Sequence, residues 1–214
     1  MKKVIIDNYI FERKLHDEGY TLIAGVDEVG RGPLAGPVAA TAIIMPKDCY
    51  IEGVTDSKKV SPKKRKELKN QILEKAIAVS TIFINEKIID EVNIYEATKL
   101  AMYQAINELD SKPDYVLIDA MPLDLDIPHE SIIKGDEKSF TIACASIIAK
   151  EARDELMDEF DQKYPEYDFK QNKGYPTKKH RNALLTYGVT PIHRRTYGPV
   201  KVAIQKQIVN KYEN

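Results

Sequence analysis

Four acidic residues stand at points where a chain could gather them around a hard divalent cation. Asp27 and Glu28 follow the short apolar run Leu22–Val26 and precede Gly30-Arg31-Gly32. Asp119 closes the run Tyr115–Ile118, and Asp136 lies in Lys134-Gly135-Asp136 ahead of a long apolar stretch. Carboxylates at the ends of neighbouring strands can converge, but like charges disfavour each other's ionised forms, so a bare cluster is costly. Mg²⁺ or Mn²⁺ removes that cost, because each takes oxygen ligands from a few carboxylates and leaves other positions to water or phosphate. Two such ions about 3.5–4 Å apart activate a water and stabilise the leaving oxygen of an in-line displacement, both of which phosphodiester hydrolysis needs. The plain alternative, for any one of the 33 acids in the chain, is a solvated loop residue.

The surrounding pattern predicts the elements that must position these acids. Leu22–Val26 and Val38–Met45 read as strands joined by the loop Gly30–Pro37, with Pro46 ending the second. Ser61-Pro62 is a helix start, a capping serine followed by proline at the first helical position, and Leu68, Ile72 and Ala76 recur at helical spacing behind it. Val79–Ile84 is β-branched and apolar, a third strand. Met102, Ala105, Ile106 and Leu109 put an apolar stripe on a helix from about Tyr95 to Asp110. Tyr115–Ile118 is a fourth strand and Ser131–Ile133 a weak fifth. Phe140–Ala149 is apolar almost all round and predicts a buried helix, amphipathic beyond Lys150 and stopped by Pro165. Helical patterning after Lys170 is confined to His180–Tyr187 and Val200–Lys211. The expectation is an α/β fold with a mixed five-stranded sheet flanked by helices, a body over residues 1–165 and a C-terminal helical subdomain over 166–214.

Charge is unevenly spread. From Lys170 to Asn214 there are ten Lys/Arg and one acid, Glu213, so the segment carries +9 in a chain whose net charge is −1. A basic tail on an acidic body suits a phosphate-binding surface beside a carboxylate site, although a solvated helical face accounts for it equally on charge alone. Two cysteines, Cys49 and Cys144, make no disulfide framework and show no metal-finger spacing; Cys144 reads as a small core residue. Asp7 ends the apolar run after Lys2-Lys3 too early for a secretory leader, and no stretch approaches the roughly 18 apolar residues of a membrane span. The expectation is a cytoplasmic monomer that does not enter a membrane.

The segment from Gly25-Val26-Asp27-Glu28 through Gly30-Arg31-Gly32-Pro33-Leu34-Ala35-Gly36-Pro37-Val38 resembles the signature of bacterial ribonuclease HII, a type 2 ribonuclease H. Further segments agree in the order that family shows: Asp56-Ser57-Lys58-Lys59, Asp119-Ala120-Met121, Lys134-Gly135-Asp136, Ala143–Lys150, Arg153-Asp154, Lys173–Thr177 with His180, and His193–Val200. The resemblance covers roughly residues 11 to 200. Asp119 is followed by Ala-Met where many relatives have Gly-Asn, but the acid itself is kept. The Gly-Arg-Gly loop favours this type over the related type III enzymes.

The resemblance implies a ribonuclease H-like fold and Mn²⁺- or Mg²⁺-dependent hydrolysis, with two ions during catalysis, leaving 5′-phosphate and 3′-hydroxyl ends. It implies RNA–DNA hybrids and DNA carrying ribonucleotides as partners. Its metal-binding acids fall on Asp27, Glu28, Asp119 and Asp136, its ribonucleotide-reading loop on Gly30, Arg31 and Gly32, and its junction-sensing tyrosine on Tyr175. Those positions make chemical sense. Only the 2′-hydroxyl marks a ribonucleotide, glycines let backbone approach a sugar, and an arginine can bond phosphate. Tyr175 has Lys173, Lys178 and Lys179 around it, while Lys58 heads the basic run Lys58, Lys59, Lys63, Lys64 and Arg65, most of it expected in solvent with one or two members on phosphates. His180 and His193 read as packing or phosphate residues rather than catalysts. Against this stand a different nuclease of the same fold class, such as a junction resolvase, and a non-catalytic nucleic-acid-binding module.

Overall fold

The computed structural model describes residues 8–212. The segment Met1–Asp7, read above for a leader, lies outside the described residues. Five strands form one sheet: β1 Ile23–Val29, β2 Val38–Ile44, β3 Ala78–Ile84, β4 Tyr115–Asp119 and β5 His129–Ile132. Their order across it is β3-β2-β1-β4-β5, so the sheet's centre is the first strand of the chain. β4 lies parallel to both β1 and β5. The helices are α1 Ile10–Asp17, α2 Pro62–Lys75, α3 Glu86–Val92, α4 Ile94–Asn107, α5 Gly135–Lys138, α6 Phe140–Lys163, α7 Phe169–Asn172, α8 Lys178–Tyr187 and α9 Gly198–Tyr212. No helix among the described residues is long and apolar enough to cross a membrane. The mixed sheet with helices agrees with the fold class expected from sequence.

Local chemistry explains most boundaries. Ser61 caps α2 by accepting from the Lys64 amide, with Pro62 in the first turn. Asn93, at φ 74°, ends α3, and its side-chain oxygen accepts from the Tyr95 and Glu96 amides to start α4. α6 runs unbroken to Lys163, and Pro165 opens a short 3₁₀ turn behind it. Helices α1 and α3, and the single-turn α5 and α7, are additions to the elements read from sequence. α1 carries Glu12, whose Oε1 accepts from Ser139 Oγ at 2.6 Å and from the Thr141 amide at 2.9 Å, which places an acid at the N-terminus of α6.

The chain divides into two compact units, interleaved in sequence. The first comprises Met1–Val29, Ala40–Ile82 and Lys99–Glu151, the second Gly30–Ala39, Phe83–Thr98 and Ala152–Asn214. The boundary expected at residue 165 falls inside the last of these segments.

The first unit has its core where Leu68 and Ile72 of α2 meet Ile43, Phe140, Ala143, Cys144 and Ile147. Burying each large side chain contributes about 1.5–3 kcal/mol. Cys144 is buried in that core, as the apolar run around it predicts. β1 and α6 come together through Gly25, where a Cβ would lie 2.4 Å from the Thr141 carbonyl carbon. The second unit has a separate core of Leu34, Met157, Tyr167, Phe169, Leu184 and Val200 with their neighbours.

Arg65 departs from the basic run to which it belongs. Its side chain is buried in the first unit, with Nε 2.6 Å from Glu151 Oε1, itself buried. Its Nη1 donates to the carbonyls of Ser57 at 3.2 Å and Val60 at 3.1 Å, so α2 holds the turn that bears Asp56, Ser57 and Lys58. Removing one member of a buried pair strands the other charge. Arg65→Ala is expected to destabilise the protein by about 3–5 kcal/mol in urea denaturation, more than an exposed Lys63→Ala control, which should stay within ~0.5 kcal/mol of the parent.

Candidate active site

The site begins with the register of two parallel strands. Val26 pairs with Ile118, and the same register carried one step further sets Asp27 beside Asp119 at the carboxyl ends of β1 and β4. Open α/β sheets offer their ligand sites at that edge. β5 continues alongside β4, with Asp119 level with Ile132, and the chain then turns at Lys134, φ 57°, into α5. That turn brings Asp136 back. One carboxylate oxygen from each of Asp27, Asp119 and Asp136 lies within 4.8 Å of the others. Glu28 stands outside this group of three. Successive side chains on a strand point to opposite faces, yet the charge of Glu28 still acts on Asp27.

Each of the three is held by a specific donor or neighbour. Asp27, 5% exposed, accepts from the Glu28 amide at 2.7 Å and bonds the Ser146 hydroxyl from α6, which in turn lies 2.9 Å from Ser57 Oγ. Asp119 Oδ1 accepts from the Gly135 amide at 2.6 Å. Asp136 is hydrogen-bonded to Asp56, itself buried. Asp56, Ser57 and Ser146 were not singled out from sequence; the signal available was only their place in the ordered segments quoted above.

The electrostatics are those of an uncompensated cluster. Burial, then the charges of Glu28 and Asp119, push the Asp27 carboxyl well above its ordinary range. Burial, Asp119 and Asp56 push Asp136 to about 6, against the lowering influence of Lys58. Burial works against the Lys58 ammonium, but Asp56, Asp27, Asp136 and Asp119 outweigh it and hold its pKa above the usual lysine value. The donor set is all oxygen, anionic and closely spaced, which fits a hard divalent cation rather than a soft one.

The remaining candidates lie in the second unit. Arg31 and Gly32 are exposed, Gly30 is buried at φ +94°, and Tyr175 is 43% exposed. A Cβ on Gly32 would come 3.3 Å from Tyr175 Cε1, so the loop and the tyrosine are neighbours and the missing side chain leaves the ring room. His180 and His193 are buried and share an Nε2–Nε2 hydrogen bond of 3.0 Å. Burial lowers both, and with the added influence of His180 it takes His193 to about 3. Both lie in the interior of the second unit, away from solvent. In the basic tail Arg194 is buried, while Lys173 and Lys179 pair with Asp158 and Asp168.

A family model for ribonuclease HII matches residues 24–200. A ribonuclease HII of Enterococcus faecalis is 58% identical over 191 residues, 89% of this chain and 75% of that protein. This chain belongs to the ribonuclease HII family. The structure agrees: the ribonuclease H2 of Pyrococcus horikoshii superposes with a TM-score of 0.75 at 27% identity, covering 89% of this chain and 99% of that one. The ribonuclease HII of Archaeoglobus fulgidus, solved in complex with PCNA, has a TM-score of 0.67 at 24% identity over 83% of this chain and 95% of that one, a likeness of fold. The chain is therefore a ribonuclease H hydrolase, an endonuclease of the class that acts on RNA–DNA hybrids. The family is metal-dependent, and in this member the buried Asp27 and Asp136 with the half-buried Asp119 provide a group able to hold a metal ion.

The raised pKa of Asp136 has a definite sign for stability. The folded protein binds that proton more tightly than the unfolded chain, so the stabilisation is complete below the ordinary value of 3.8 and is lost as pH rises through about 6. At pH 8 in chelator, Asp136→Asn should therefore melt higher than the parent, by about 2–4 °C for each kcal/mol of repulsion relieved. With Mn²⁺ the order should reverse, because the parent gains a bound ion that the variant holds weakly. Thermal denaturation with and without metal checks both halves.

Proposed function

We propose that this ribonuclease HII-family chain nicks on the 5′ side of ribonucleotides, including a single one embedded in duplex DNA, and leaves 5′-phosphate and 3′-hydroxyl ends. The observation that carries the reading is the convergence of Asp27, Asp119 and Asp136 at the carboxyl ends of two parallel strands, in a chain 58% identical to a ribonuclease HII. Asp27, Glu28, Asp119 and Asp136 are the residues that would hold two divalent ions, Mn²⁺ or Mg²⁺. Such ions, when bound, lower the pKa of water and stabilise charge on the attacking and leaving oxygens.

The protein's own residues supply position. The Gly135 amide fixes one Asp119 oxygen, and Ser146 with the Glu28 amide fixes Asp27, so the ligands are oriented before an ion arrives. Lys58, charged and exposed beside the carboxylates, is suited to a substrate phosphate. Gly30, Arg31 and Gly32 offer close-approaching backbone and a guanidinium to the ribose and its phosphate. Tyr175 offers a flat, half-exposed ring next to Gly32 for the sugar at the RNA–DNA junction. The exposed lysines and arginines of the segment 166–214 bind the duplex backbone, which makes affinity salt-dependent. The protein acts as a monomer in the cytoplasm.

The test is a labelled DNA duplex with one ribonucleotide, incubated with Mg²⁺, Mn²⁺ or chelator beside an all-DNA control. A metal-dependent nick 5′ to the ribonucleotide and an intact control are expected. Equal cutting of the control would favour a resolvase-like enzyme, and binding without turnover a non-catalytic module. Asp119→Asn should lower the rate by more than about a hundredfold while duplex binding stays near the parent level. Tyr175→Ala should lose most of its activity on the single ribonucleotide, and full activity there would remove its role.

A further inference from the structure

The loop 30–37 is held from behind by two buried arginines. Arg153 and Arg194 are fully buried, and neither makes an ion pair with a carboxylate among the described residues. Their donors go to main-chain carbonyls instead, apart from one bond of Arg194 Nη1 to the Tyr197 hydroxyl. Arg153 donates through Nε to Pro37 at 2.9 Å, through Nη2 to Ala35 at 3.1 Å and through Nη1 to Lys173 at 2.9 Å. Arg194 donates through Nη2 to Gly30 at 2.6 Å and Gly36 at 2.8 Å, through Nε to Gly36 at 3.0 Å and through Nη1 to Arg31 at 2.9 Å. The fit is tight, since a Cβ on Gly30 would lie 2.2 Å from Arg153 Nε.

Burying an unpaired guanidinium is expensive. Burial, then the charge of Arg194, lowers Arg153 to about 10, so it keeps its proton at neutral pH. An ordinary turn closes with amide donors and needs no such cation. What two planar forks provide is direction. Charge-assisted bonds to carbonyls on both sides of the turn fix the orientation of those peptide planes. The Arg153 fork also reaches Lys173, two residues before Tyr175, while the Leu34 amide donates to the Gly174 carbonyl at 2.8 Å. The tip of the loop, Arg31–Gly32, is exposed; this framework holds it through the Arg31 carbonyl, and Gly32 lies beside the Tyr175 ring.

We propose that Arg153 and Arg194 are positioning residues for ribonucleotide recognition, holding the Arg31–Gly32 tip and Tyr175 in the relative placement that one ribose 2′-hydroxyl and its phosphate require. The inference rests on the assignment of that tip and of Tyr175 to the substrate. A 2′-hydroxyl is a small target, and a misplacement of about 1 Å in a recognition group can cost ~100-fold in rate. The buried positive charge adds a field that favours a phosphate at the tip.

Arg153→Lys and Arg194→Lys keep the charge and remove the fork. Steady-state kinetics would be measured on a duplex with a single ribonucleotide and on a continuous RNA–DNA hybrid, which presents a 2′-hydroxyl at every step and tolerates a displaced loop better. In both variants the loss of kcat/KM should be about tenfold greater on the single ribonucleotide than on the hybrid. The Mn²⁺-induced rise in melting temperature, set by the first unit's carboxylates, should stay at the parent value. Equal losses on the two substrates, or no loss, overturn the proposal. Tyr197→Phe covers a lysine variant that fails to fold. It deletes one partly exposed hydroxyl, which bonds Arg194 Nη1 and the Arg31 carbonyl at 3.0 Å each, and should shift the same ratio by about threefold. An unchanged ratio in Tyr197→Phe also overturns the proposal. Failure of the unsubstituted protein to nick the single-ribonucleotide duplex would instead overturn the substrate assignment beneath it.

Discussion

Repulsion among carboxylates is the constraint to which the first unit is built. Asp27 and Asp119 are adjacent because β1 and β4 run parallel and in register, and Asp136 joins them because the chain turns back after β5. Left alone, such a group would splay apart or take up protons. It is held by parts that do not themselves need an ion: the Gly135 and Glu28 amides, the Ser146 hydroxyl, and the turn at Asp56–Lys58 anchored by Arg65. The raised carboxyls of Asp27 and Asp136 record what remains uncompensated. A divalent cation relieves that remainder, and binding and folding are therefore linked through the same three side chains.

The second unit meets the converse problem. Its buried charges are positive, and their partners are peptide carbonyls. Arg153 and Arg194 turn the polar backbone of a glycine-rich loop into their solvation shell, which leaves the loop little freedom despite its composition. His180 and His193 complete the interior in neutral form. His180 Nδ1 bonds the Tyr175 carbonyl at 2.9 Å, and the Thr190 amide donates to His193 Nδ1 at the same distance. Tyr167 and Phe169, stacked with ring centroids 5.4 Å apart, pack against both imidazoles. Tyr175 is thus anchored through its main chain while its ring stays partly exposed.

Charged residues were the hardest to read from sequence. Arg65 sits among lysines at a helix start, and nothing local distinguishes it from solvated neighbours; its burial follows from Glu151, 86 residues away in the chain. Arg153 and Arg194 look like the polar face of a helix and part of a basic tail. Helix α3 is short and capped by Asn85, whose Oδ1 accepts from the Lys87 and Ile88 amides, and seven residues carry too little periodicity to stand out. By contrast β2 and the first turns of α6 are buried on every side, and such segments announce themselves as unbroken apolar runs.

What the sequence determined by itself was therefore local. Breakers and apolar runs placed Asp27 and Asp119 at strand ends and Asp136 ahead of a buried helix, and glycines put a close-approaching loop directly after the first acids. The resemblance carried by those segments supplied the family. Tertiary structure alone decided which acids meet and which charges are buried, because strand order, register and the chain's return after β5 are set by contacts between residues far apart in sequence. It drew Asp27, Asp119 and Asp136 into one group with Glu28 outside it, and it turned two arginines of an apparently solvated pattern into the supports of the Gly30–Pro37 loop.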